Sequence, residues 1–104
     1  MNDIVRSLEI DGFEHHRNDS TNEYGFHIFY PNGKKNDNEW LCIELFKPFV
    51  SVSYEYNGTN VSQEIGYRGN MRLKLQIMAN AIIMQTQSFH KKIDKLIRET
   101  GNEK

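Results

Sequence analysis

The last third of the chain, residues 70–99, constrains the fold more than any other segment. It contains neither proline nor glycine, and its apolar residues recur at intervals of three, four or seven positions. That spacing is typical of one face of an amphipathic α-helix. The apolar positions concerned are Met71, Leu75, Met78, Ile82, Phe89, Ile93 and Leu96. We therefore predict a long helix over residues 70–99, capped by Asn70, that covers the structure formed by the rest of the chain.

Residues 13–68 have the pattern of short strands separated by turns. The predicted strands cover residues 13–17, 24–30, 39–46, 49–56 and 61–67, and Asn57-Gly58 is a strong signal for a tight hairpin between the last two. The connections are too short for the crossovers that parallel strands need. We therefore predict an α+β fold, with an antiparallel meander of four to five strands packed on one face by the long C-terminal helix, and a short N-terminal helix over residues 1–12.

Length and composition favour an ordinary globular domain. The chain has 104 residues, of which 38% are hydrophobic and 26% charged, so we predict one domain over residues 1–104. Cys42 is the only cysteine, which excludes an internal disulfide and favours a buried structural thiol. No apolar run reaches the length of a membrane span, and residues 1–10 lack the pattern of a secretory leader. We therefore expect a cytoplasmic protein with no membrane partner and no cofactor.

Charge is distributed unevenly along the chain. Residues 1–64 carry five cationic and eleven anionic side chains, a net charge of −6, whereas residues 65–104 carry eight and three, a net charge of +5. One interpretation is that a basic helix lies on an acidic sheet and is neutralised there. The other is that the basic half faces a polyanion such as a nucleic acid.

The predicted helix is too long for the predicted sheet. Thirty helical residues span about 45 Å, whereas a seven-residue strand spans about 23 Å. The helix must therefore break, for which the neighbourhood of Ser88 is the best candidate, or its distal half must project from the sheet. A projecting half with an apolar stripe predicts a homo-oligomer formed through the C-terminal helix.

The two faces of the predicted sheet differ in polarity. Strand alternation assigns Phe26, Ile28, Leu41, Ile43, Leu45, Val50, Val52 and Tyr54 to the core. The other face carries Phe29, Trp40, Phe46 and Phe49 beside His27 and Glu44. Either the N-terminal helix covers this second face, or the face is a recognition surface for a protein partner. In the second case the candidate partner-binding residues are Phe29, Trp40, Glu44, Phe46 and Phe49.

The basic residues of the C-terminal third form a candidate nucleic-acid interface. The candidates are Arg68, Arg72, Lys74, Lys91, Lys92, Lys95 and Arg98. The first three lie where the turn Gly66–Gly69 leads into the helix, and a helix start can bind a phosphate. The acidic first half of the chain opposes this interpretation, and the sequence contains no known nucleic-acid-binding motif.

The histidines offer the chemistry of a small hydrolase or nuclease. His15 or His27 could act as a general base with Glu14, Glu44 or Tyr54. Neighbouring residues of a strand point to opposite faces, so His15 and His16 cannot bind one metal ion from a regular strand. We therefore predict no metal site, and nothing in the spacing selects a catalytic set.

No motif in the sequence assigns the chain to a family. The leading functional hypothesis is a non-enzymatic protein-binding module, in the style of the small accessory proteins of phages and mobile elements. An inhibitor of a host enzyme or defence complex, as anti-CRISPR proteins are, is one concrete instance. The alternatives are a nucleic-acid-binding protein that uses the basic helix, and a small histidine-dependent hydrolase or nuclease.

Overall fold

The computed structural model describes residues 1–101. In chain order these residues form α1 (Asn2–Arg6), β1 (Phe13–His15), α2 (Asp19–Glu23), β2 (Phe26–Pro31), β3 (Glu39–Leu45), β4 (Phe49–Tyr56), β5 (Thr59–Gly66) and α3 (Met71–Gly101). The five strands form one antiparallel sheet in the order β1-β2-β3-β4-β5. The α+β fold predicted from the sequence is confirmed, including the long C-terminal and the short N-terminal helix.

The β4–β5 hairpin follows directly from its turn residues. Asn57 and Gly58 both have positive φ, at 47° and 90°, as a two-residue hairpin turn between twisted strands requires. The two strands then pair over eight positions, from Tyr56 opposite Thr59 to Phe49 opposite Gly66. Asn70 accepts a hydrogen bond from the Leu73 backbone N–H at 3.1 Å and so caps α3 as predicted.

The N-terminal segment differs from the prediction in two ways. Helix α1 ends at Arg6, well before residue 12. In addition, residues 19–23 form the short helix α2, where the sequence indicated only a turn. Asn18 caps this helix by accepting a hydrogen bond from the Thr21 backbone N–H. Five residues are too few to show a helical hydrophobic period, which is why the pattern did not reveal α2.

The predicted faces of β2 are wrong. The strand pairs with β3 so that Phe29 lies opposite Leu41 and His27 opposite Ile43. Phe29 and His27 therefore share the core face, and both are almost completely buried. Phe26 and Ile28 lie on the other face. Both faces of β2 are apolar or aromatic, so hydrophobicity did not select one, and a shift of one residue exchanges the faces.

Both α1 and α3 pack on the same face of the sheet. Val5, Leu8 and Ile10 belong to the hydrophobic cluster that joins Phe29 and the core residues of β3 and β4 to α3. The loop after α1 is also bonded to α3, because the side chains of Gln76 and Asn80 accept hydrogen bonds from the backbone N–H groups of Glu9 and Asp11. The N-terminal helix therefore does not cover the second face of the sheet. We call that second face the open sheet face.

Helix α3 is continuous and extends beyond the sheet. Its buried residues are Met71, Leu75, Ala79, Ile82, Ile83 and Thr86, and no residue from 87 to 101 is buried. At 1.5 Å per residue its 31 residues span about 47 Å, close to the longest dimension of the molecule, 53 Å. The helix does not break near Ser88. Of the two alternatives predicted from its length, the structure shows the second, in which the distal half projects beyond the sheet.

A polar cluster joins α3 to the sheet at the point where the helix leaves it. The Tyr54 hydroxyl donates a hydrogen bond to Glu39 Oε2, and Gln87 Nε2 donates to both oxygens, at 3.1 Å to Tyr54 and 3.2 Å to Glu39. Burial, together with the bond to Glu39, raises the pKa of Tyr54, so the phenol keeps its proton and remains the donor.

We expect Tyr54→Phe to lower the free energy of unfolding by about 1–2 kcal/mol, because it leaves two partly buried polar partners without the hydroxyl. Urea denaturation followed by circular dichroism measures the change. Tyr24→Phe is the matched control, because the Tyr24 side chain is 87% exposed and its hydroxyl contributes little. Equal stability of the two variants would contradict the structural role of the cluster.

Candidate functional site

The open sheet face carries an aromatic cluster at one corner. Phe26 lies directly opposite Glu44, and Phe46 and Phe49 have ring centroids 5.5 Å apart. Phe26 and Phe46 are 36% and 43% exposed, and Phe49 is half-buried. We call Phe26, Phe46 and Phe49, together with the carboxylate of Glu44 among them, the phenylalanine corner. Exposed aromatic rings are enriched in protein-binding surfaces.

The predicted partner-binding residues are distributed unevenly over the molecule. Glu44, Phe46 and Phe49 lie together in the phenylalanine corner. Trp40, which is half-buried, lies on the same face but six positions before Phe46, a separation of about 20 Å along an extended strand. Phe29 is only 1% exposed and belongs to the core, so its assignment to the partner surface is wrong. Phe26 takes its place, and only the strand register reveals this exchange.

Four glutamates lie on the open sheet face, and two of them, Glu44 and Glu64, are near the aromatic cluster. Across the sheet, Glu44 pairs with Ser51, which in turn pairs with Glu64, and Trp40 pairs with Glu55. Glu14 occupies the same face at the β1 edge, opposite Tyr30. These four carboxylates lie on the side of the sheet away from α3, so the open sheet face is both apolar and negatively charged.

Cys42 lies in the middle of this face, and its thiol has low reactivity. The thiol is buried, and its Sγ lies 3.7 Å from Glu44 Oε1. Burial, and then the nearby Glu44 carboxylate, raise the pKa of the Cys42 thiol to about 12. A thiol that stays protonated at neutral pH is neither a good nucleophile nor a metal ligand. The role of a structural thiol, predicted from the sequence, fits these surroundings.

The other face contains a histidine pair. Asn2 Nδ2 donates a hydrogen bond to the Glu23 carbonyl at 3.4 Å, so Asn2 Oδ1 accepts from His27 Nε2, at 2.8 Å. His27 Nδ1 is then the acceptor for His15 Nε2, also at 2.8 Å. This chain of bonds holds α1 and β1 against β2, with the His15 ring packed edge-on against Phe29 at 5.1 Å.

The surroundings of both imidazoles favour the neutral form. Burial, followed by the neighbouring charges of His15 and Arg6, lowers the pKa of His27 to about 4. Burial, Arg6 and His16 lower the pKa of His15 as well. Protonation of His27 Nδ1 would also remove the acceptor for His15. The bonding pattern therefore requires a neutral His27 ring.

The structure does not assemble the catalytic sets suggested by the sequence. Glu14 and Glu44 lie on the face opposite the histidine pair, and Tyr54 is bonded to Glu39 and Gln87. The two histidines bond to each other and to an amide instead of a carboxylate. No group of three metal-ligating side chains occurs within residues 1–101.

The candidate nucleic-acid residues form two separate groups. Arg72 donates a hydrogen bond to Ser7 Oγ, and Lys74 donates to the Arg68 carbonyl, so both side chains are engaged at the start of α3. The second group begins at Lys91, about 28 Å beyond Arg72 along the helix axis. It consists of Lys91, Lys92, Lys95 and Arg98. Lys91, Lys95 and Arg98 have the spacing of one helix face.

The charge of α3 is not neutralised by contacts with the sheet. The two ion pairs found in residues 1–101 join Arg6 to Asp3 at 3.2 Å and Arg17 to Asp19 at 3.6 Å, and neither involves α3. The acidic open sheet face and the basic distal helix therefore lie apart. The interpretation of a basic helix neutralised on an acidic sheet is not supported by close contacts.

Comparison with known proteins adds no function to this geometry. No protein family model, curated protein or solved structure matches the chain. Within the part of the chain that the structure describes, none of the helices has both the length and the apolar character needed to cross a membrane.

We expect the free energy of unfolding to decrease as the pH falls from 6.5 towards 4. In that interval an unfolded histidine binds a proton, whereas the folded His27 does not, so acid favours the unfolded state by up to about 1.4 kcal/mol per pH unit for one proton. His27→Gln should flatten this slope. Urea denaturation at several pH values measures it, with His16→Gln as the control because the His16 side chain is exposed. An unchanged slope in His27→Gln would contradict this assignment.

Proposed function

We propose that this chain is a non-enzymatic protein-binding module whose docking surface is the open sheet face. The observation that carries the proposal is the position of the helices. Because α1 and α3 both pack on the opposite face, the phenylalanine corner remains uncovered. Folded proteins seldom leave adjacent phenylalanine rings exposed without a function for them.

The chemistry of the face indicates the kind of partner it would bind. The phenylalanine rings supply apolar anchors, and Glu44 and Glu64 supply negative charge beside them. The matching surface is a shallow apolar depression with lysines or arginines at its rim. Complementary charge would orient the two proteins as they meet, and the buried rings would supply most of the affinity.

The concrete form of this proposal is a small inhibitor, in the manner of anti-CRISPR proteins. It would occupy a functional surface of a host enzyme or defence complex. It is supported by the small size of the chain, by the exposed anchors and by the engagement of the histidines with each other. We place this activity in the cytoplasm, where an unpaired thiol such as Cys42 stays reduced.

The proposal is tested by comparing three immobilised proteins with an extract of the source cell. A partner of the open sheet face is retained by the wild type and by Lys95→Glu, and is lost by the double variant Glu44→Lys/Phe46→Ala. Lys95 is the control because it lies on the distal helix, away from this face. A partner retained equally by all three proteins would contradict the proposed docking surface.

With the purified partner, we expect Phe46→Ala alone to weaken binding by about 10- to 100-fold, the usual effect of removing a large aromatic anchor. Isothermal titration calorimetry measures the dissociation constant. Leu73→Ala is the matched control, because Leu73 is 53% exposed but lies on α3. A loss of less than about twofold for Phe46→Ala would remove the phenylalanine corner from the interface.

One observation favours nucleic-acid binding as a second candidate function. Lys91, Lys95 and Arg98 are exposed and share one side of α3, and none of them forms an ion pair in the described part of the chain. Such a cationic surface can contact a phosphate backbone.

We expect that, if this surface binds duplex DNA or RNA, affinity falls steeply with added salt, with a logarithmic slope of about −3 for three phosphate contacts. The variant Lys91→Glu/Lys95→Glu/Arg98→Glu should then bind no duplex. Fluorescence anisotropy with labelled duplexes measures both effects. Absence of binding by the wild type at low salt would exclude this function.

A further inference from the structure

The mainly apolar stripe that packs α3 on the sheet continues past the sheet at the same spacing. Its residues are Leu75, Ala79, Ile82, Thr86, Phe89, Ile93, Leu96 and Thr100, at alternating intervals of four and three, which is the spacing of a coiled-coil seam. The first four are buried against the sheet and α1. The last four are not, and Phe89 and Leu96 are 56% and 61% exposed. We call these last four residues the distal seam.

The two flanks of the distal seam differ. One flank carries Lys92 and Glu99, seven residues apart, and the other carries His90 and Ile97. His90 faces its own β4–β5 hairpin, since Nε2 lies 2.6 Å from Thr59 Oγ1 and the ring packs edge-on against Tyr56 at 4.9 Å. The Lys92 and Glu99 side chains are exposed. They place opposite charges one heptad apart beside an uncovered apolar stripe.

We propose that residues 89–100 bind the same segment of a second copy of this chain, side by side and in antiparallel orientation. Ile93 of one copy then lies level with Leu96 of the other, and Phe89 lies level with Thr100. The contact has a two-fold axis near the midpoint of the segment, so each interaction occurs twice and the assembly closes as a dimer. This inference does not depend on the open sheet face, which is on the opposite side of the sheet.

Charge complementarity selects the antiparallel orientation. When two antiparallel helices meet, the same flank of each lies on the same side, so Lys92 of one copy approaches Glu99 of the other. In a parallel pair the flank with Lys92 and Glu99 would instead meet the flank with His90 and Ile97, and no opposite charges would face each other. Residues that flank a coiled-coil seam set orientation in this way.

The space beside the distal seam fits one helix of this length. The segment 89–100 spans about 18 Å, and a second helix can pack at an axial distance of about 8–10 Å. Gly101 of the second copy would reach the level of Ser88, just beyond Thr86, the last residue that is buried in its own chain. The β4–β5 hairpin contacts α3 at His90, on the flank away from Lys92 and Glu99, so the second helix would pack beside the hairpin. A contact of this size gives a reversible dimer that depends on concentration.

Sedimentation velocity over a range of protein concentrations tests the proposal. We expect a monomer–dimer equilibrium that Lys92→Glu and Glu99→Lys each weaken by about tenfold, because each places like charges together, and that the double variant Lys92→Glu/Glu99→Lys restores. Lys95→Glu makes the same change of charge on the far side of the helix and should leave the dimer unchanged. A monomer at all concentrations, a double variant that does not recover, or an equal effect of Lys95→Glu would overturn the proposal.

Disulfide trapping tests the orientation directly. Ile93→Cys and Leu96→Cys are made separately in a Cys42→Ser background, mixed and oxidised under mild conditions. The antiparallel dimer yields the mixed 93–96 cross-link in preference to the two symmetric products. A preference for the symmetric 93–93 product indicates a parallel pair and would overturn the proposed arrangement, whatever the outcome of the binding experiments on the open sheet face.

Discussion

The structure depends on the burial of one helix face against one face of the sheet. Leu75 and Ala79 of α3 are completely buried in the cluster that contains Leu41, Ile43 and Val52. An antiparallel meander of five short strands has little stability unless one face is covered in this way. Because α1 joins α3 on that face, neither helix covers the other side of the sheet, and its exposed residues, Phe26 and Phe46 among them, are available to a partner.

The strongest sequence patterns predicted most of this architecture. The 3.6-residue period of residues 70–99 specified α3 to within two residues at its end, and Asn57-Gly58 placed the hairpin. The face of β2 could not be predicted because both sides of the strand are hydrophobic enough for a core. Phe26 and Ile28 lie on one side, and His27 and Phe29 lie on the other. Pairing with β3 resolves this ambiguity, and pairing is a long-range property that a local pattern does not contain. Helix α2 was not predicted because it depends on the Asn18 cap and not on a periodic pattern of apolar residues.

The candidate site was predicted only in part, for the same reason. Glu44, Phe46 and Phe49 were assigned to the correct face because β3 and β4 alternate cleanly. Because the faces of β2 were predicted wrongly, Phe29 was assigned to the open sheet face in place of Phe26. The contact between His15 and His27 also follows from the true faces of β1 and β2, and could not be inferred while His27 was placed on the open side. The separation of the basic residues into two groups follows from the continuity of α3, which the sequence left open beside a break near Ser88.

The placement of the glutamates and the lysines separates negative from positive charge, which gives the molecule an electric dipole moment. Glu14, Glu44, Glu55 and Glu64 lie on one side of the sheet, while Lys91, Lys95 and Arg98 lie at the tip of a rod that projects beyond the other side. The net charge of the chain is only −1, so an external electric field exerts a small net force on the molecule. The separated charges nevertheless experience a torque. In the field of a charged macromolecule the protein rotates before contact and presents one end, and ions at physiological concentration limit this torque to separations of about 8 Å.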